Sequence, residues 1–167
     1  KVVTDKADLV SKTLEMSRNH ECSTLDAITQ QDMNAIDESF EMSKYVVGQL
    51  KQVHPSIHYD LEKYYPEAWN TFHKMHGKYI LDITTANMEK GIREGLYRED
   101  LNIPVVSKIY IARYDIVFDS NWFPPETHNF ADVYLESFRY HIRGIASEAG
   151  IRYLMEKVQR EKNNTTI

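Results

Sequence analysis

The sequence at residues 130–145 reads FADVYLESFRYHIRGI and contains the clearest periodic pattern in the chain. Its large apolar residues recur at steps of four, four, four and three, at Phe130, Tyr134, Phe138, Ile142 and Ile145. Such steps place side chains on one face of an α-helix, because the helix has 3.6 residues per turn. The stretch therefore predicts an amphipathic helix that buries one face.

Similar steps predict helices over most of the remaining chain. The predicted helices cover about 5–19, 25–53, 58–65, 66–94, 104–118, 130–145 and 151–161. Ser23, Thr24 and Asp26 are candidate N-caps for the second helix, which Pro55 ends, and Gly95 is a candidate left-handed cap. No segment has the alternation of a strand. The predicted fold is all-α, with six or seven helices.

Composition and charge restrict the class of protein. The chain has 167 residues, of which 42% are hydrophobic and 27% charged, as expected for one globular domain. Its net charge of −5 argues against DNA binding by this segment itself. A single cysteine, Cys22, rules out an internal disulfide and favours a cytoplasmic location. No run approaches the roughly 18 apolar residues of a membrane helix, so no membrane partner is expected.

Two segments resemble motifs of the tetracycline-repressor family of bacterial transcriptional regulators. Residues 91–102, GIREGLYREDLN, resemble the family's junction before the penultimate helix, with two glycines followed by an arginine and an aspartate. Residues 139–150, RYHIRGIASEAG, resemble the last-helix signature Gly-Ile-x-Thr-x-x-Gly. Ser147 stands where threonine is usual. The order and separation of the two segments also agree with the family.

The resemblance implies that residues 1–167 form a single C-terminal ligand-sensing and dimerisation domain of a repressor. Such a domain forms a homodimer through a four-helix bundle and binds a small effector in an internal pocket. Effector binding then alters the DNA affinity of an N-terminal helix-turn-helix domain. The sequence begins at Lys1 in what looks like a helix already under way, so we expect that domain upstream. Operator DNA would be bound only through it.

The apolar surface of the 104–118 and 130–145 helices independently favours a homodimer. A chain of this size cannot bury all sides of two such helices, and a symmetric interface would cover the excess. The predicted interface residues are Ile109, Ile116, Tyr134, Phe138, His141, Ile142 and Ile145.

The helix that begins at Pro66 has a face too wide for one neighbour, with bulky rings and two imidazoles. We therefore predict a ligand cavity between the 25–53, 66–94 and 104–118 helices. Its predicted lining is Trp69, Phe72, His73, His76, Tyr110 and Arg113. The effector would be a small apolar or amphipathic molecule with one acidic or polar end. Plain core packing of the rings is the alternative. The two histidines could equally have ordinary partners or hold a metal, although zinc needs ligands that the sequence does not identify.

Two further residues have alternative interpretations. Arg113 lies beside Tyr110 and Tyr114 on an apolar face, and a buried arginine needs an acceptor. That acceptor is either an acidic ligand or a carboxylate across the dimer. Cys22 is either a thiol sensor or an incidental cysteine.

An enzyme is disfavoured because the usual motifs are absent. No histidine follows a glutamate at the Glu-x-x-His spacing of di-iron bundles, and phosphate loops and nucleophile elbows are also missing. We predict no catalytic residue, metal site or cofactor. The remaining alternatives are a helical adaptor that binds only protein and, less favoured, a helical-bundle enzyme.

Overall fold

The computed structural model describes residues 3–52, 54, 56–119 and 121–164, and this part of the chain forms seven α-helices and no strand. The all-α prediction is confirmed. The helices are α1 (Lys6–Thr29), α2 (Ala35–Leu50), α3 (Ser56–Tyr64), α4 (Pro66–Arg93), α5 (Ile103–Phe118), α6 (Phe130–Ile145) and α7 (Glu148–Asn164). The long α4 is central and packs against α1, α2, α3 and α5, while α6 packs against α2 and α5.

The boundary between the first two helices was predicted wrongly. The helix α1 continues through the candidate caps at 23–26 and ends at Thr29, and α2 begins only at Ala35. Thr24 donates its hydroxyl to the His20 carbonyl at 2.9 Å, so it is satisfied inside the helix rather than at an N-terminus. The true cap is Asn34, whose side chain accepts from the Asp37 amide. The predicted end at Val53 and Pro55 lies outside the described residues.

The turn after α4 forms as predicted. Gly95 has a φ of +71°, the left-handed conformation that glycine adopts without steric cost. The amides of Leu96 and Tyr97 then both donate to the Gly91 carbonyl, at 2.9 and 3.0 Å. This arrangement ends α4 and turns the Tyr97 side chain back onto the helix.

The two segments that carry the family resemblance lie against each other. Tyr97 and Ala146 form a single antiparallel bridge. The Arg98 amide donates to the Ile145 carbonyl at 2.9 Å, and the Ser147 amide donates to the Leu96 carbonyl at 2.9 Å. An added Cβ at Gly150 would lie 2.0 Å from the Leu96 carbonyl oxygen, so this crossing also requires a glycine. Segments 91–102 and 139–150 therefore form one structural unit.

The apolar stripe of α6 lies in the core of the chain itself. Its residues Tyr134, Phe138, Ile142 and Ile145 are all buried. The ring of Phe138 packs edge-on against Phe40 of α2, with the centroids 5.3 Å apart. These four residues were predicted as dimer contacts, and that assignment is corrected, because their surface is already covered by the same chain.

The outer face of α5 is apolar and uncovered. Val105, Ile109 and Ile116 are 50%, 64% and 52% exposed. Their spacing of four and seven residues places them on one side of the helix. Of the predicted interface residues, Ile109 and Ile116 are thus the ones available to a partner.

Among the described residues, no helix combines the length and apolar character needed to cross a membrane.

We predict that Gly91→Ala destabilises the fold. An added Cβ would lie 2.0 Å from Cδ2 of Tyr97, whose ring is 1% exposed and cannot move aside. Overpacking of this kind should lower the free energy of unfolding by about 1–3 kcal/mol. Gly48→Ala is the control, because a Cβ there meets nothing within 4 Å, and it should raise the free energy by about 0.5–1 kcal/mol. Urea unfolding measures both, and equal effects of the two changes would contradict the prediction.

Candidate functional site

A partly enclosed cavity of about 170 Å³ lies inside the chain between α1, α2, α4, α5 and α6. Its walls are mainly apolar and include Leu25, Met42, Val46, Ile80, Ile83 and Met88. Gly77 of α4 also faces it, and a Cβ at that position would meet nothing within 4 Å. The α4 lining extends from His73 to Met88, about 22 Å along the axis at 1.5 Å per residue. The cavity is therefore narrow and elongated.

Four of the six predicted ligand residues line this cavity. They are His73, His76, Tyr110 and Arg113. Trp69 and Phe72 do not line it, and their assignment is corrected. Trp69 packs against the His58 ring of α3 with centroids 5.4 Å apart, and Phe72 stacks on His76 at 5.3 Å.

Arg113 contributes the positive charge of the cavity. Its guanidinium carbon lies 3.7 Å from the centre of the Tyr110 ring and 5.3 Å from that of Tyr134. One guanidinium nitrogen donates to the Ser137 hydroxyl at 3.3 Å. These contacts orient the guanidinium through cation–π attraction and one neutral hydrogen bond.

His141 was predicted at the dimer interface, but it lines the cavity instead. Its ring packs against Tyr110 with centroids 4.3 Å apart. Burial, together with the nearby charge of Arg113, lowers the pKa of His141 to about 3. His141 is consequently neutral near pH 7 and can serve there as one hydrogen-bond donor and one acceptor.

The acidic groups of the cavity lie beside the other two histidines. Glu21 Oε2 is 3.2 Å from His76 Nε2, and Asp115 Oδ1 is 3.9 Å from His73 Nδ1. Burial lowers the pKa of His73, although Asp115 partly opposes this effect. The polar groups of the cavity thus form two sets: His73 and His76 lie with the two carboxylates, and Arg113 lies with neutral neighbours that include His141.

Ser39 and Asn87 line the cavity although the sequence reasoning did not single them out. The Asn87 side chain donates to the Ala35 carbonyl and to Glu38, and its oxygen accepts from Ser39 and Tyr97. The signal that could have identified Asn87 is its position on α4, where the helical spacing places a polar amide on the buried face. Its surroundings become evident only once α2 and α4 are placed together.

A second aromatic cluster lies beside α3 and meets the cavity wall at Tyr114. His58 contacts Trp69, Tyr114 and Phe118, with its ring centroid 4.2 Å from that of Phe118. Its Nδ1 is buried without a hydrogen-bond partner. Burial first, and then the neighbouring His73, lower the pKa of His58 to about 4.

Neither a thiol sensor nor a metal site gains support. Burial raises the pKa of the Cys22 thiol, which reduces the fraction of reactive thiolate. Within the described part of the chain, no group of three or more histidine, cysteine or acidic side chains is placed to hold a metal ion.

No family model, curated protein or solved structure matches this chain.

We predict that acid destabilises the fold through His58 and His141. Both have folded pKa values below the ordinary value of about 6.5, so the unfolded chain binds more protons below that pH. Stability should therefore fall as the pH decreases from about 6.5 towards 4. His58→Phe should weaken this dependence, because it removes a histidine with a strongly lowered pKa and places a phenyl ring among the aromatic neighbours of His58. Urea midpoints measured across this range test it.

The exposed His20 provides the control. His20→Phe should leave the dependence of stability on pH unchanged. A His58→Phe variant with the same slope as the parent chain would show that His58 is not the responsible group.

Proposed function

We propose that this chain is the effector-binding and dimerisation domain of a tetracycline-repressor-like transcriptional regulator. The observation that carries the proposal is the apolar cavity inside the helical domain, with Tyr110, Arg113 and His141 on its wall. Ligand sites are typically apolar cavities with a few polar groups that fix orientation, and this cavity matches that description. A helical adaptor that binds only protein needs no such internal space.

The contact between segments 91–102 and 139–150 also supports the proposal. These are the segments that resemble the family, and they pair through the Tyr97–Ala146 bridge. Three of their glycines have a physical function: Gly91 and Gly150 allow close approach, and Gly95 takes a positive φ. The resembling residues therefore belong to a common turn and crossing, rather than to unrelated surface positions.

Transmission to DNA would proceed through α1. In the tetracycline-repressor family, which the two segments resemble, the corresponding helix connects the sensor domain to the DNA-binding domain. In this chain, Glu21 and Leu25 of α1 line the cavity. A ligand changes the equilibrium between two helix arrangements only if it binds one of them better. Contacts from the cavity to α1, α4 and α5 together give a ligand the means to distinguish such arrangements.

The dimer of this proposal uses the outer face of α5. Val105, Ile109 and Ile116 supply an apolar centre, which an isologous two-fold contact would bury in both subunits. The helix α6 would complete the proposed four-helix bundle with its polar outer side, since its apolar stripe is occupied by the core.

We predict that Ile109→Glu prevents dimerisation. Two glutamates brought together at an apolar two-fold contact would be desolvated and mutually repulsive. Sedimentation at micromolar concentration should give about twice the monomer mass for the parent chain and the monomer mass for the variant. Met75→Glu, at a residue of α4 that is 47% exposed, is the matched control and should remain dimeric. A monomeric parent chain would refute this part of the proposal.

We predict that Gly77→Leu abolishes effector binding without unfolding the domain. The new side chain would enter the empty space beside Gly77, and leucine favours the helix more than glycine does. A thermal-shift screen of small organic molecules should identify ligands that raise the melting temperature of the parent chain. The same ligands should produce no shift with Gly77→Leu.

Gly48→Leu is the matched control, because Gly48 is also helical with open space around it but does not line the cavity. This variant should keep the ligand-induced shift. Ligands that stabilise Gly77→Leu as strongly as the parent chain would show that they bind elsewhere, and the sensor proposal would fail.

A further inference from the structure

The charge of Arg113 has no acidic partner among the described residues. Its described polar contact is the neutral Ser137 hydroxyl at 3.3 Å, and its other close neighbours are the rings of Tyr110 and Tyr134. Arg113 is partly buried, and a charge that is partly removed from water is costly unless an opposite charge or several hydrogen bonds compensate for it. The cavity wall therefore presents a cation that is only partly compensated.

The two carboxylates that line the cavity do not supply this compensation. Glu21 lies at His76 and Asp115 lies at His73. Asp115 is two residues from Arg113 on α5, a rotation of about 200° around the helix, so the two side chains leave it on nearly opposite sides. The side chain of Asp115 is accordingly 73% exposed.

The histidine on the same part of the cavity wall, His141, does not add a competing positive charge. Burial and Arg113 itself hold the pKa of His141 at about 3, so this imidazole stays neutral near pH 7. A neutral imidazole can donate a hydrogen bond without carrying charge. The Arg113 region thus offers one fixed positive charge and a neutral donor, a combination suited to an anion.

We infer that the cavity binds a small organic carboxylate, with the carboxylate on Arg113 and an apolar body between α2, α4 and α6. This inference rests on the proposed sensor function and names its ligand class. Arginine is suited to this contact because its planar guanidinium can donate two parallel hydrogen bonds to one carboxylate.

The size of the cavity limits the apolar body. At about 170 Å³ it is close to the ~150 Å³ apolar cavity that admits benzene. A single ring with a short acidic side chain matches this volume. Ile83, Met88 and Phe138 line the cavity and would contact such a ring.

Calorimetric titration of the chain with four probes tests the inference. Benzoate and phenylacetate carry the charge, and benzamide and phenylacetamide are their neutral counterparts of nearly equal shape. At least one acid should bind the parent chain about tenfold or more tightly than its amide, the difference expected for a charge-assisted hydrogen bond.

Variants of Arg113 assign the preference to this residue. Arg113→Met should remove the advantage of the acid over the amide, and Arg113→Lys, which keeps the charge but not the two-pronged geometry, should retain part of it. Arg152→Met, at an exposed arginine of α7, is the matched control and should keep the full advantage. Circular dichroism of each variant establishes that it is folded, and Arg113→Lys serves for the comparison if Arg113→Met does not fold.

The outcomes separate this inference from the proposed function. Equal binding of an acid and its amide, or an acid preference that survives both Arg113 substitutions, overturns the carboxylate assignment. If the amides bind well and Gly77→Leu abolishes their binding, the sensor cavity stands while the ligand class is wrong. If none of the four probes binds but the thermal-shift screen finds neutral cavity ligands, the carboxylate inference is again wrong and the sensor proposal stands. Failure of both experiments counts against the proposed function itself.

Discussion

The side chain of Asn87 makes four hydrogen bonds in the interior, and the arrangement of α2 and α4 depends on them. Its amide nitrogen donates to the Ala35 carbonyl and Glu38, while its oxygen accepts from Ser39 and Tyr97. An unsatisfied buried amide would be costly, so the network fixes the position and the rotation of both helices. Because Tyr97 also covers Gly91, the same network holds the turn that pairs with Ala146, between α6 and α7. The network is therefore linked through Tyr97 to the crossing of segments 91–102 and 139–150.

The network also explains why a cavity persists beside it. Ser39 and Asn87 form part of the cavity wall, and their polar atoms are committed to α2 and Tyr97. The helices cannot collapse into the space without breaking these bonds. Gly77 also lines the cavity, and the absence of a side chain there leaves open space along α4. Two features thus maintain an internal space that close packing would otherwise remove. They are the hydrogen bonds of Ser39 and Asn87 and the absence of a side chain at Gly77.

The sequence predicted which residues are helical better than it predicted what each helix packs against. The α6 stripe was recognised from its spacing, but periodicity identifies a buried face without identifying the partner, and Phe138 packs on α2 of its own chain. On α4, Trp69 shares the periodic face with His73 but lies four residues earlier, about 6 Å along the axis. There α3 covers it through His58. The break at 30–34 contains neither glycine nor proline, and its N-cap candidates Asp32 and Asn34 did not differ in kind from the capping residues at 23–26, so the local signals could not decide between the two positions.

In the proposed function, α5 is the element that would connect a ligand to the dimer. Its inner face contributes Tyr110, Arg113 and Val117 to the cavity, and its outer face exposes Ile109 and Ile116. A sixteen-residue helix moves largely as a unit, because its backbone hydrogen bonds couple every turn. An anion drawn to Arg113 would therefore shift the outer stripe together with the guanidinium. Since core packing permits discrete arrangements rather than continuous deformation, a small displacement at Arg113 would favour one dimer geometry over another.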